Sequence, residues 1–199
     1  MDIATPEDAL SAALAADPGR PLLTWYDDQA QARIELSVAT FANWVAKTAN
    51  LLQDEIGLAP GGRVAIRLPA HWQALVWLHA AWAAGQLAVW GPAGEHVDLA
   101  VVAHPDDAGW ADADEVVSLG CGPLGLPVPG LTPAYALALD FDRSVHSHGD
   151  RFTGPARPDP ARPALQPARP TLTAAQLLPR APAPPGRLPV AGPLDRLDP

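Results

Sequence analysis

The chain has 199 residues, 48% of them apolar, and a formal net charge of −9. This is enough for one ordinary domain with a sizeable core. It offers no run near the ~18–20 apolar residues of a membrane span, no basic-then-apolar leader in "MDIATPEDALSAAL", and a single cysteine, Cys121, which excludes an internal disulfide framework and a Cys-rich zinc site.

A cytoplasmic protein without a membrane or nucleic-acid partner is the expectation. Residues 1–150 carry 19 acids against six Lys and Arg, while residues 151–199 carry three acids against seven Arg. The acidic first part repels phosphates and anionic lipid heads. The Arg residues of the second part stand singly among prolines, without interleaved aromatics.

In chain order, Thr5 is placed to cap a helix with Pro6 at its first position and Gly19 past its end. "PLLTWYDD" and "RIELS" are short strand candidates, most simply a hairpin. "SVATFANWVAKTANLLQDEIG" is the clearest helix: Phe41, Trp44, Val45, Thr48, Leu51, Leu52 and Ile56 recur at three and four, and Gly57 stops it. A strand "RVAIRLP", a helix "HWQALVWLHAAWAAG" closed by Gly85, and strands "LAVW" and "DLAVVA" follow. "EVVSL" is a further strand candidate, and "YALALDFDRSV" reads equally as strand or helix.

Strand, helix and strand joined by Gly-rich turns predict an α/β fold: a mainly parallel sheet flanked by helices, with an N-terminal antiparallel hairpin. Thirteen of the 24 prolines lie in residues 151–199. They remove backbone donors and fix φ at almost every third residue, which excludes a packed helix or central strand there. The expected organisation is an α/β domain over 1–152 and an extended or disordered Pro-rich tail over 153–199.

Three motifs stand together between Pro21 and His104: "IELSVATFANWV", "GLAPGGRVAIRLPA" and "LHAAWAAGQLAVWGP". Their order resembles the N-terminal part of adenylate-forming enzymes, the superfamily of acyl-CoA synthetases, peptide-synthetase adenylation domains and luciferases. The chain looks like a trimmed version of that superfamily. The resemblance implies a Ser/Thr/Gly-rich loop ending in Pro-Lys-Gly before "LTAAQLL", and a later lid carrying a catalytic Lys. At the corresponding place stands "GPARPDPARPALQPARPT", with one Gly, no Lys, and prolines where a phosphate cradle needs N–H donors. The chain is therefore expected to be a non-catalytic binding or interaction module with no cofactor. The alternative under the same resemblance is an incomplete adenylating subunit that needs a partner chain.

"DLAVVAHPDDAGW" raises a different possibility. His104-Pro105-Asp106-Asp107 resembles the opening motif of zinc-dependent deacetylases. There it is usually followed by an acid and completed by a distant His-x-x-His. Here Ala108 follows, and the only later His pair is His146 and His148. Spaced i, i+2, those two would share one face of a strand. A zinc hydrolase using His104, Asp107 and His146 or His148 is the competing reading. The simpler reading is a turn after the strand, capped by Asp106 or Asp107. No catalytic or metal residue is assigned. Candidate ligand-binding positions are those past the strand ends: His71, Trp90, His104 and Asp107.

The tryptophans fix a last expectation. On a helical wheel Trp72, Leu75, Val76 and Trp82 share one arc, with Trp77 projecting towards the Gln73 side. A helix apolar nearly all round is buried on both sides or touches a partner. Burial inside the domain is the first expectation for segment 71–84, a surface for a homo-oligomer or protein partner the second, and stacking on a ligand the third.

Overall fold

The computed structural model describes residues 5–28, 30–90, 95–103, 112–128, 138–154, 161, 163–166 and 172–173. Helix α1 (Pro6–Ala16) starts at a reciprocal cap. The Asp8 N–H donates to Thr5 Oγ1 at 3.2 Å, and the Thr5 N–H donates to the Asp8 carboxylate at 3.1 Å. Strands β1 (Pro21–Asp27) and β2 (Ala32–Ser37) pair antiparallel as a two-stranded sheet of their own. Ser37 caps α2 (Val38–Asn50), which runs on through one π-helical turn at Leu51–Glu55. Gly57, at φ +72°, takes the left-handed conformation that ends it.

Strand β3 (Arg63–Arg67), helix α3 (Trp72–Ala83) and strand β4 (Leu87–Val89) follow, with Gly85 at φ +79° in the turn. Next come β5 (Val97–Val102) and β6 (Ala113–Ser118). The segment that read as strand or helix is both among its described residues. Leu139–Asp140 is a short strand, β7, and Asp140 caps α4 (Phe141–Ser144), which leads into a 3₁₀ turn at Val145–Ser147.

The Pro-rich part departs from the expectation that it holds no central strand. Pro163–Gln166 forms β8, parallel to β4, and Leu172–Thr173 forms β9, antiparallel to β8. The physical reason is position: Pro163 is the first residue of its strand, where a missing N–H costs least. "ALQ" then supplies the remaining groups. The second sheet has the order β7-β6-β5-β3-β4-β8-β9, parallel throughout except at β9.

Side chains alternate across this sheet. Val64, Ile66, Leu99, Val101 and Val117 join the main core beneath α2 and α3. Ala100, Val102 and Val116 form a separate small cluster on the opposite face. Helix α3 lies buried almost all round, with Trp72, Gln73, Val76, Trp77 and Trp82 inside. The predicted arc needs correction at Leu75, which is 40% exposed, whereas Trp77 is fully buried against Phe141 at 5.0 Å between ring centroids. The side that Trp77 shares with Gln73 is the one that α4 covers.

Candidate functional site

From β3 the chain passes through α3 to β4 on one side, while β5 leads to β6 on the other. The carboxyl ends of the neighbours β3 and β5 therefore flank a topological switch point, where ligands of open parallel sheets are held. His71 stands four residues past the end of β3. His104 and Asp107, beyond β5, lie outside the described residues.

His71 is the N-cap of α3. Its Nδ1 accepts from the Gln73 N–H at 3.3 Å, so the neutral ring carries its proton on Nε2. The Trp25 ring meets it edge-on at 4.5 Å, and Trp25 Nε1 donates to the Ala70 carbonyl at 2.7 Å, so the hairpin braces this corner. Burial lowers the His71 pKa to about 4, against an opposing pull from Asp27. Nε2 is buried with no hydrogen-bond partner among the described residues.

A second polar cluster joins α3 to the ends of β6 and β7. The Gly120 N–H donates to Asp142 Oδ2 at 2.7 Å. A Cβ on Gly120 would come within 2.8 Å of the Val128 side chain and 3.0 Å of that carboxylate, so the close approach requires glycine. Burial raises the Asp142 pKa, and the Gly120 hydrogen bond and the adjacent Gln73 amide partly offset it. Asp142 Oδ1 and both Gln73 amide atoms are buried without a well-aligned hydrogen bond. Cys121 has φ +50°, and burial, followed by the charge of Asp142, pushes its thiol up to about 12. It is no nucleophile at neutral pH.

Trp90 follows β4, is 42% exposed, and donates its backbone N–H to the Gln166 carbonyl at 2.8 Å. Trp90 and His71 thus follow adjacent strands but differ sharply in burial.

His146 and His148 do not share a strand face. They lie on and just after the 3₁₀ turn. The His146 ring packs 5.5 Å from Trp44, and His148 Nε2 reaches Glu55 at 2.9 Å, a carboxylate that also accepts from Ser144 Oγ at 3.2 Å. Their side chains engage different partners because a turn, unlike a strand, separates positions i and i+2. Among the described residues no three His, Cys, Asp or Glu side chains are grouped to hold a metal ion.

The sequence reading passed over Arg67, the last residue of β3. Its Nε and Nη1 are buried and unpartnered among the described residues. The strand "RVAIR" carries a cation at each end, and its own five residues do not distinguish the two. Away from the strand ends, α1, α2, α3 and residues 150–154 wall a cavity of about 350 Å³ lined by Leu10, Leu14, Val45, Ala83 and Phe152. His79 also lines it, its pKa lowered to about 4 by burial.

The fold is that of the N-terminal part of acyl-CoA synthetases. It superposes on the Brucella canis acyl-CoA synthetase with a TM-score of 0.62 at 16% identity, over 76% of this chain and 29% of that one. An anthranilate CoA ligase in complex with anthranoyl-AMP matches with a TM-score of 0.60 at 13% identity, over 82% of this chain and 31% of that one. A Mycobacterium tuberculosis fatty acyl CoA synthetase matches at 0.57 and 12% identity, over 81% and 32%. The resemblance drawn from the motifs between Pro21 and His104 therefore holds for the fold.

In sequence, the chain is similar to a TIGR03089 family protein of Mycobacterium tuberculosis, with 40% identity over 152 residues. The match covers 74% of this chain and 61% of that relative, so the chain spans about three fifths of the relative's length. No family model matches. Among the described residues no helix is long and apolar enough to cross a membrane.

Proposed function

We propose that this chain is a ligand-binding module built on the acyl-CoA-synthetase N-terminal fold, which holds a small molecule at the carboxyl ends of β3, β4 and β5 and does not by itself form an adenylate. His71 and Trp90 border that place, and His104 and Asp107 follow β5 in sequence. The observation that carries the reading is the β8–β9 hairpin. Its pairing leaves the sequence Pro167-Ala168-Arg169-Pro170-Thr171 as the connection. Two of those five residues have no backbone N–H, and none is glycine. A triphosphate is held by convergent main-chain N–H groups on a flexible, glycine-rich backbone. Isothermal calorimetry with ATP and Mg²⁺ tests this directly: no heat of binding at micromolar to millimolar ATP is expected, and tight binding defeats the reading.

The shares of the relatives' lengths favour a second reading, in which this chain is one portion of an adenylating assembly. Pyrophosphate exchange measured after adding the portion of the Mycobacterium tuberculosis relative that this chain does not match separates the two. Exchange appearing only in the mixture supports the assembly. A silent mixture supports the stand-alone module.

A further inference from the structure

We infer that Arg67 anchors an anion-binding site at the switch point between β3 and β5, taking the carboxylate or phosphate group of a small molecule. The inference deepens the binding-module reading by naming the charge that the ligand must bring, and it rests on that reading for the place.

Arg67 pairs in register with Val102 and, one strand further, with Ser118, so the three side chains stand in a row on the sheet face opposite α2 and α3. The strand's other side chains settle which face this is. Val64 and Ile66 belong to the core beneath the helices, and Arg67 alternates with them. Nε carries one N–H and Nη1 two, and all three lack an acceptor among the described residues. A guanidinium cannot shed its proton to escape such a place. Arg67 as a whole is half-buried, but these two nitrogens are closed off from water, and buried donors left without an acceptor are costly and rare in folded proteins.

Contrast Arg63, at the other end of the same strand. Its guanidinium reaches Glu95 at 2.7 Å, Gln166 at 3.0 Å and the His96 carbonyl at 3.1 Å. Two arginines on one strand face thus differ in one respect: Arg63, at the amino end, is saturated by the protein. At Arg67, at the end where ligands of this sheet class sit, Nε and Nη1 have no partner among the described residues. An oxyanion supplies both the negative charge and the multiple acceptors that three N–H bonds require.

The test compares wild type with Arg67→Met and Arg67→Lys in thermal unfolding and calorimetry, using inorganic phosphate and butyrate against chloride at matched ionic strength. Wild type is expected to melt higher in at least one oxyanion than in chloride, and the better of the two identifies the group. Arg67→Met should lose that increment and, in chloride, melt at or above the wild-type temperature, because two buried, unpartnered donor nitrogens have gone. Arg67→Lys keeps the charge without the fork of donors and should bind at least about tenfold more weakly. It carries the test if the Met variant does not fold. An equal oxyanion response in wild type and variants, or none in wild type at tens of millimolar, overturns the inference. Tight ATP binding that survives Arg67→Met would defeat the binding-module reading instead, so the two failures are distinguishable.

Discussion

The two faces of the parallel sheet differ in kind. Towards α2 and α3 lie Val64, Ile66, Leu99, Val101 and Val117, packed with Trp72, Trp77, Leu51, Leu52 and Phe141 in the main core. Towards the other side stand Ala100, Val102 and Val116, with Ala113 and Ala138 packed against them, and Arg67 at the strand end. Large buried side chains each contribute roughly 1.5–3 kcal/mol through removal from water, and small ones far less. Stability is therefore concentrated on the helical face, and the opposite face is where a charged, under-partnered side chain is tolerated. Substitutions on the two faces should differ in the property they damage.

The largest effect is expected at Trp77, fully buried on the helical face against Phe141. Trp77→Ala should cost about 3–5 kcal/mol in denaturant unfolding. Its Nε1 has no partner among the described residues, so Trp77→Phe, which keeps an aromatic ring and removes an orphan donor, should cost less than half as much. Similar losses for both variants would mean that the indole N–H is satisfied and that this face is less dry than described.

Next is the response to acid. His71 and His79 have folded pKa values near 4 against 6.5 when free, both lowered chiefly by burial. Between those values the unfolded chain binds protons that the folded chain refuses. Their contribution is fully present above about pH 6.5 and is lost as pH falls towards 4, on the order of 3 kcal/mol for the deeply buried His79 and less for His71, which solvent partly screens. Asp142 acts in the opposite sense, since its raised folded pKa favours the folded state at low pH. His79 lies between Phe41 at 5.1 Å and Trp82 at 5.0 Å, so a phenyl ring suits the site. Stability measured from pH 7 to 4 should fall less than half as steeply in His79→Phe as in wild type. An unchanged slope would place the acid sensitivity elsewhere.

A loop at the border of the helical face gives a smaller effect. Gly125 has φ +64°, and a Cβ there would meet the Trp44 ring at 2.9 Å and the Trp72 ring at 3.1 Å. Trp72 Nε1 in turn donates to the Pro123 carbonyl at 3.0 Å. Gly125→Ala combines left-handed strain with a clash against two indoles and should cost about 2–3 kcal/mol in thermal unfolding. A cost below about 0.5 kcal/mol would show that the loop yields freely and that the Trp44–Trp72 pair is not fixed by it.

Much of the fold was legible because its signals are local. The Thr5 cap, the run from Phe41 to Leu52, and the stops at Gly57 and Gly85 each act within a few residues. The wheel put Trp77 on the side of Gln73, and both are buried, but a wheel shows direction and not what will cover it: α4 comes from 64 residues later in the chain. Strand β8 was hidden because proline content was averaged over a segment, whereas a strand needs only the four positions of "PALQ" to pair. The site was half legible. His71 and Trp90 follow from strand ends, but Arg67 depends on which face of β3 a residue occupies and on what stands beside it, where no acid partners its Nε or Nη1 among the described residues. Register and neighbours settle both, and neither is written in the strand's own five residues.

The contrast between faces is tested most cleanly by two consecutive residues. Val101 and Val102 are both fully buried, at 0% and 1% exposure, on one strand and of one residue type. Propensity, strand position and the volume removed are thus matched, and only the face differs. Val101 packs among the core residues beneath α3, and Val102 among alanines and Val116. Val101→Ala should leave a cavity that large, rigid neighbours cannot fill and cost about 2–3 kcal/mol. Val102→Ala loses fewer contacts and should cost about 1–2 kcal/mol. It sits beside Arg67 in register, so it should also change the oxyanion response, which Val101→Ala should leave intact. Equal costs in denaturant unfolding, or an oxyanion response altered by the Val101 variant alone, would abolish the division of labour between the faces.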